Sequence, residues 1–273
     1  MERKEEPRSL HSLPISEKIG LYDKAMELRE SKGWGWRKIS KELGIRGAAV
    51  KNWLYRNKDP KNKYNTPDLT PSPELSYVIG TVLSDGYTTK VQGNKRIVLS
   101  VKDREFAEEF NRNIVPVLNK EKEYNISKTD RPRYIVQATS EILFDFLNHP
   151  LNKLIEVSDE YSSHFLRGLY DGDGGIDKNW VVSLTDPRLE LLQYTKMRLE
   201  SYGIKTRKIS KVAKKGTIGG QFNDRLVKRK KDCFQLRFAG YKNLVIFSEK
   251  VGFSIPRKSK ALEKAKEGHI RET

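Results

Sequence analysis

The chain has 273 residues, of which 36% are hydrophobic and 33% charged, with a formal net charge of +17. Mean hydropathy is −0.71, and the longest apolar runs, such as Tyr77 to Leu83, fall far short of the ~20 residues a membrane-spanning helix needs, so no membrane partner is expected. The single cysteine, Cys233, excludes an internal disulfide and a thiolate zinc cluster, and with no apolar leader near Met1 the expected location is cytoplasmic.

The positive surplus is unevenly placed: net +6 over residues 1–70, −1 over 71–170 and +12 over 171–273. Cationic surface releases counterions from a phosphate backbone, which points to nucleic acid. A solvated lysine-rich surface of the thermophile kind is the alternative.

In chain order, Leu21, Ala25 and Leu28 recur at helical spacing, so residues 16–31 read as an amphipathic helix that Gly33 stops. Trp36, Ile39, Ser40 and Leu43 predict a second helix, Gly44 a tight turn, and Ile45, Val50, Trp53 and Leu54 a third helix. That order is a helix-turn-helix pattern. Arg46, Lys51, Asn52 and Arg56 remain outward on the last helix, able to reach bases or phosphates, while Gly47 and Ala48 allow close approach. A three-helix module contacting protein fits the same pattern, but motif and charge together favour DNA. The polar, proline-containing stretch that follows is a linker. The expected division is a DNA-binding domain at 1–60, a linker at 61–73 and two similar halves at 74–158 and 159–273.

The halves are an internal repeat. Residues 74–87 (ELSYVIGTVLSDGY) answer to 162–175 (SSHFLRGLYDGDGG), with Gly80 and Gly168, Asp85 and Asp173, Gly86 and Gly174, and Lys90 and Lys178 each 88 apart. The offset falls to 83 for Asp103 with Asp186 and for Lys128 with Lys211, then grows to 100 for Tyr134 with Phe234. The growth implies an insertion within 212–231, a basic, glycine-containing stretch that reads as a loop for phosphate contact. Each copy predicts helix, strand pair, helix, strand pair, helix: an α+β pseudo-twofold pair of αββαββα halves, after a small all-α domain. Strands are expected at 96–101, 133–138, 180–184 and 233–238, and closing helices at 141–148 and 243–250.

A glycine inside a helix costs about 1 kcal/mol relative to alanine, so Gly80 and Gly168 imply close approach of two packed helices. Gly86 and Gly174 read as the left-handed residues that end them. Asp85 and Asp173 then stand at helix C-termini, where the macrodipole disfavours their charge. A divalent cation, Mg²⁺ or Mn²⁺, would resolve the repulsion of two such carboxylates, and metal-assisted phosphodiester cleavage uses that arrangement.

VIGTVLSDG (78–86) and LRGLYDGDG (166–174) resemble the paired signature of LAGLIDADG homing endonucleases, and the resemblance covers residues 74–262. It implies a saddle over DNA, antiparallel sheets in the major groove, and the signature helices as the core interface. Asp85 and Asp173 match the eighth motif position, where the family's metal-binding acids stand. At the sixth, Asp171 is answered by Leu83, so Asp171 reads as an interface residue. Lys90 and Lys178 are candidates for catalysis near the scissile phosphates, with Lys102 and Thr185 as further members of that polar shell. Lys102, Lys128, Lys211, Arg237 and Lys258, with Lys260, are candidate DNA-backbone contacts. The four histidines fit no nuclease pattern, and no GxxxxGK[ST] run supports nucleotide hydrolysis. The resulting expectation is a monomeric, site-specific double-strand DNA endonuclease that cuts across the minor groove and leaves short 3′ overhangs. An RNA maturase acting on its host intron RNA and a non-catalytic DNA-binding regulator are the alternatives on one scaffold.

Overall fold

A computed structural model describes residues 8–10, 13–56, 60, 66–91, 93–129, 132–222 and 225–271. His11 and the first part of the linker, 61–65, lie outside them.

Three helices come first: α1 (Ile15–Lys32), α2 (Trp36–Glu42) and α3 (Gly47–Tyr55). They close over their own core of Ala25, Leu28, Ile39, Leu43, Ile45, Val50 and Trp53. Gly33 and Gly44 both have φ +61°, the conformation that favours glycine, and they make the two reversals. At the start of α3, Gly47 is needed for a different reason. A Cβ there would meet the Trp36 ring at 2.5 Å.

The rest of the chain is one α+β body with a single continuous core. The first half runs α4 (Pro73–Leu83), β1 (Gly86–Val91), β2 (Asn94–Val101), α5 (Arg104–Val117), β3 (Ser127–Lys128), β4 (Tyr134–Thr139), α6 (Glu141–Leu147) and α7 (Leu151–Ser158). The second runs α8 (Ser162–Gly172), β5 (Gly174–Ile176), β6 (Val182–Asp186), α9 (Leu189–Ser201), β7 (Ser210–Ala213), β8 (Ile218–Phe222), β9 (Arg225–Lys228), β10 (Cys233–Phe238), α10 (Tyr241–Lys250) and α11 (Pro256–Arg271). The sheets have matching orders, β1-β2-β4-β3 and β5-β6-β10-β7, both antiparallel. Strand alternation puts Ile97, Leu99, Val136 and Ala138 of one, and Val182, Leu184, Leu236 and Phe238 of the other, into the core under the helices. The residues that alternate with these, Arg96 and Gln137 in one sheet and Ser183 and Arg237 in the other, face away from those helices. Among the described residues, no helix is long and apolar enough to cross a membrane.

Two expectations need correction. The insertion read as a loop is largely a two-stranded ribbon, β8–β9, that joins neither four-stranded sheet. The offset between second strands is 85, not 83. Gly86 pairs with Leu99 as Gly174 pairs with Leu184, and Val101 faces Tyr134 as Asp186 faces Phe234. Asp186 therefore answers to Val101, Arg188 to Asp103, and Thr185 to Ser100.

Candidate functional site

Helices α4 and α8 pack against each other backbone to backbone, and the two mid-helix glycines allow it. A Cβ on Gly80 would lie 2.1 Å from the Phe165 carbonyl oxygen, and one on Gly168 would lie 2.5 Å from that of Tyr77. Beside this contact Asp171 is buried. Its carboxylate accepts hydrogen bonds from the Tyr77 hydroxyl at 2.9 Å, from the Ser254 backbone N–H at 2.9 Å, and from the Ser254 hydroxyl. Burial still raises its pKa against those bonds. Asp171 ties α4, α8 and the segment before α11 together, and its carboxylate is used up in doing so.

Because the helices touch, their C-terminal turns touch as well. A Cβ on Gly172 would meet the Ser84 side-chain oxygen at 2.2 Å and the Asp85 amide nitrogen at 3.2 Å. The residues bearing Asp85 and Asp173 thus adjoin across the helix pair. Gly86 and Gly174 do not take the left-handed conformation expected of them; each opens a strand. Their glycine is required because a Cβ would meet the preceding turn, at Val82 Cα (2.8 Å) and Tyr170 Cα (2.6 Å).

Both acids are exposed on one side and crowded by protein on the other. Burial raises the Asp85 carboxyl above its ordinary range, with Lys258 and Arg133 pulling it back. Asp173 is pushed up to about 7, first by burial, then by the charges of Asp85 and Asp186, against Arg188 and Lys258. Continuing the strand registers sets Asp85 beside Ser100 and Asp173 beside Thr185, on the face turned away from the helices.

Cations hold the two helix ends. The buried Lys258 ammonium donates to the carbonyls of Tyr170, Asp171, Gly172 and Gly174 at 2.9, 2.5, 3.1 and 2.6 Å. Lys258 was expected to contact the DNA backbone; its nitrogen is instead spent on the C-terminus of α8. Desolvation lowers its pKa, with Asp171 opposing. At the end of α4, Arg188 donates to the Leu83 carbonyl at 2.5 Å and forms an ion pair with buried Asp186. Arg257 pairs with Asp103 at 3.0 Å. Sequence reasoning missed Arg188, Arg257 and Arg133. The signal for Arg188 was the spacing Asp-x-Arg directly after the second strand.

The structure does not bring Lys90 or Lys178 to the carboxylates. Lys90 pairs with Lys95 at the far end of the β1–β2 hairpin, about 17 Å along the strand from Asp85. It lies on the helix side, where Lys95 binds Asp145 and Thr88 binds Asn148. Lys178 is in the exposed β5–β6 turn, next to Asp177, which accepts from the Asn179 and Val181 amides. Lys128 and Lys211 pair with Tyr134 and Phe234, whose rings pack on the core, so both lie on the helix side of edge strands. Lys211 also binds Asp232. Lys102 fares better: it directly follows β2, exposed and two residues beyond Ser100. Thr185 accepts a hydrogen bond from Gln235 at 3.2 Å. Arg237 pairs with Ser183 on the face of its sheet turned away from the helices, and Arg96, not singled out from sequence, lies on that face of the other, bonded to Gln137. Lys260 is exposed on α11. In the N-terminal unit Arg46, Lys51 and Arg56 are exposed and Asn52 half-buried, with Lys51 stacked 4.2 Å from the Trp36 ring centroid.

The donor set at the helix ends is all oxygen, which suits a hard cation such as Mg²⁺. Among the described residues no group of three or more His, Cys, Asp or Glu side chains forms a complete cage. Two carboxylates open to water on one side fit an ion that keeps several waters and takes substrate phosphate oxygens.

Comparison with known proteins adds four findings. The model of the LAGLIDADG-like domain matches residues 160–252. The uncharacterized protein MJ0398 of Methanocaldococcus jannaschii is 30% identical over 265 residues, covering 94% of this chain and 96% of its own length. The glutamine–fructose-6-phosphate aminotransferase of the same organism is 27% identical over 153 residues, which is 51% of this chain but 13% of that protein. Among solved structures, that of I-DmoI in complex with DNA and Ca superposes with a TM-score of 0.51 at 18% identity, over 70% of this chain and 97% of that one.

Proposed function

The chain carries a LAGLIDADG-like domain and the LAGLIDADG fold, and on that premise we propose that it is a site-specific double-strand DNA endonuclease. The observation that carries the reading is the meeting of Asp85 and Asp173 at the touching C-termini of α4 and α8. Two carboxylates in that position repel each other, and burial together with the charge of Asp85 raises the pKa of Asp173. Bound Mg²⁺ or Mn²⁺ neutralises that repulsion and supplies Lewis-acid activation of water and phosphate. Asp85 and Asp173 are the residues that hold it.

The remaining side chains position and neutralise. Lys258 and Arg188 fix the carbonyl ends of the helices, so the two carboxylates are delivered at a set separation. Lys102, exposed at the acid end of β2, and Arg133 offset charge on the phosphate. Arg96, Arg237, Gln137 and Thr185, on the sheet faces turned away from the helices, meet the major groove. The three-helix unit adds phosphate and base contacts through Arg46, Lys51, Asn52 and Arg56, reading as a helix-turn-helix. Cleavage falls across the minor groove, leaving short 3′ overhangs.

The test is incubation of the full chain with Mg²⁺ or Mn²⁺ and a random duplex library, followed by sequencing of cut ends. Asp85→Asn and Asp173→Asn should bind the recovered target but not cut both strands. Wild-type cleavage by either variant, or binding without any cleavage by the wild type, defeats the nuclease assignment; the second outcome favours a DNA-binding regulator.

A further inference from the structure

The β8–β9 ribbon has no counterpart in the first half. There β3 and β4 are joined through residues 129–133, closed by the Thr129 N–H to Arg133 carbonyl bond at 3.0 Å. In the second half the same connection grows into a hairpin that pairs only with itself. None of its residues whose burial is described belongs to either core. Ile218, Leu226 and Val227 stand 59%, 61% and 50% exposed on it, a costly display for a soluble chain unless something covers it. Around them the segment 210–232 holds eight Lys and Arg against two acids, and Lys215, Lys228, Lys230 and Lys231 are exposed.

We propose that this ribbon, which leaves the second four-stranded sheet at its Asp186 end, is an added DNA-binding arm, so that the protein grips the part of its target under the second half more extensively than the part under the first. The inference rests on the DNA-binding part of the reading above. Its occupant is duplex DNA because charge and shape agree. A two-stranded ribbon fits a major groove, where apolar side chains meet thymine methyl groups, and a lysine rim neutralises the flanking phosphates. The unequal connections of the two halves make the grip lopsided: the first half has a five-residue connection where the second has the arm.

The experiment uses the full chain with Lys215, Lys228, Lys230 and Lys231 changed to Ala, and a second variant with 215–229 replaced by a short Gly-Ser link. Thermal unfolding of the charge variant controls for its fold, so the inference stays testable if the shortened variant does not fold. Binding is measured by anisotropy on a mixed-sequence duplex across a salt series, and by hydroxyl-radical footprinting in Ca²⁺ on a duplex enriched by binding. The expected result is a salt slope lower by about 0.9 per lost lysine contact, roughly 3–4 in all, with protection lost at one end of the footprint only. A slope and footprint equal to wild type overturn the inference. So does unchanged duplex binding combined with lost binding to a structured RNA, which would make the ribbon an RNA arm. A wild type that binds no duplex defeats the DNA-binding reading itself, whereas binding without cleavage defeats only the nuclease reading and leaves the arm standing.

Discussion

Asp173→Asn should make the metal-free protein more stable while ending double-strand cleavage, and the effect should depend on pH. In the folded chain the Asp173 carboxyl is pushed from 3.8 to about 7, so the folded state holds a proton that the unfolded chain releases near pH 4. The sign follows: below about pH 4 both states are protonated and the group costs nothing. As pH rises through the interval to about 7 the unfolded chain ionises first, and wild-type stability falls by that amount. A shift of about 3 units corresponds to roughly 4 kcal/mol for a sealed group. This carboxylate is open to water on one side, so solvent screening reduces the expected gain to about 1–2 kcal/mol. The assay is urea unfolding of wild type and variant in a chelator at about pH 4.5 and about pH 8, inside and above the titration window. The variant should gain little at the lower pH and the full amount at the higher. Added Mg²⁺ or Mn²⁺ should then stabilise wild type and not the variant. A variant equal to or weaker than wild type at pH 8 would refute the claim that the acids are held together against their repulsion.

Three further outcomes follow from the helix contact and its supports. Gly80→Ala forces a methyl to within 2.1 Å of the Phe165 carbonyl, so it should cost about 3 kcal/mol in urea unfolding, reversing the gain alanine gives in an open helix. Asp171→Asn weakens the buried tie to Tyr77 and Ser254 and should lower the melting temperature, yet double-strand cleavage below that temperature should persist; loss of cleavage in a folded variant would make Asp171 a metal-binding acid. Lys258→Met strands the carbonyls that end α8 and should cost roughly 2–4 kcal/mol. Lys258→Arg should not rescue it, because a planar guanidinium cannot point its donors at carbonyls that converge on one atom.

The glycines and acids of α4 and α8 were legible because packing and charge repulsion are local demands that each copy of the repeat must meet for itself. Lys90 and Lys178 misled for a reason the sequence already contained. They share the spacing of the acids, but a residue five positions along a strand from Asp85 lies on the opposite face of the sheet. The pairing of Asp103 with Asp186 was a likeness of letters. Only the hydrogen-bond register shows that Asp186 stands where Val101 does. The carbonyl partners of Arg188 and Lys258 could not be read, because they lie 84 to 105 residues away and the chain offers 53 basic side chains to choose from.

Those distant cations also show why one half of the repeat cannot make the site alone. The end of α4, which presents Asp85, is held by Arg188 from the second half. The end of α8, which presents Asp173, is held by Lys258 from α11, beyond the repeat. The residue beside Lys258, Arg257, reaches back to Asp103 of the first half, and Ser254 just upstream binds Asp171, which in turn holds Tyr77 of α4. Asp85 is therefore positioned from the second half, whereas Asp173 is positioned by α11 of the half that carries it. The repeat supplies two equivalent carboxylates, but their supports differ: Arg188 reaches one carbonyl beside an ion pair, and Lys258 gathers four. The two acids also differ in surroundings: burial and the charges of Asp85 and Asp186 press on Asp173, whereas burial and Asp103 press on Asp85. An acid pair built this way forms only when both halves and α11 are in place, so its geometry reports the integrity of the whole body after the linker.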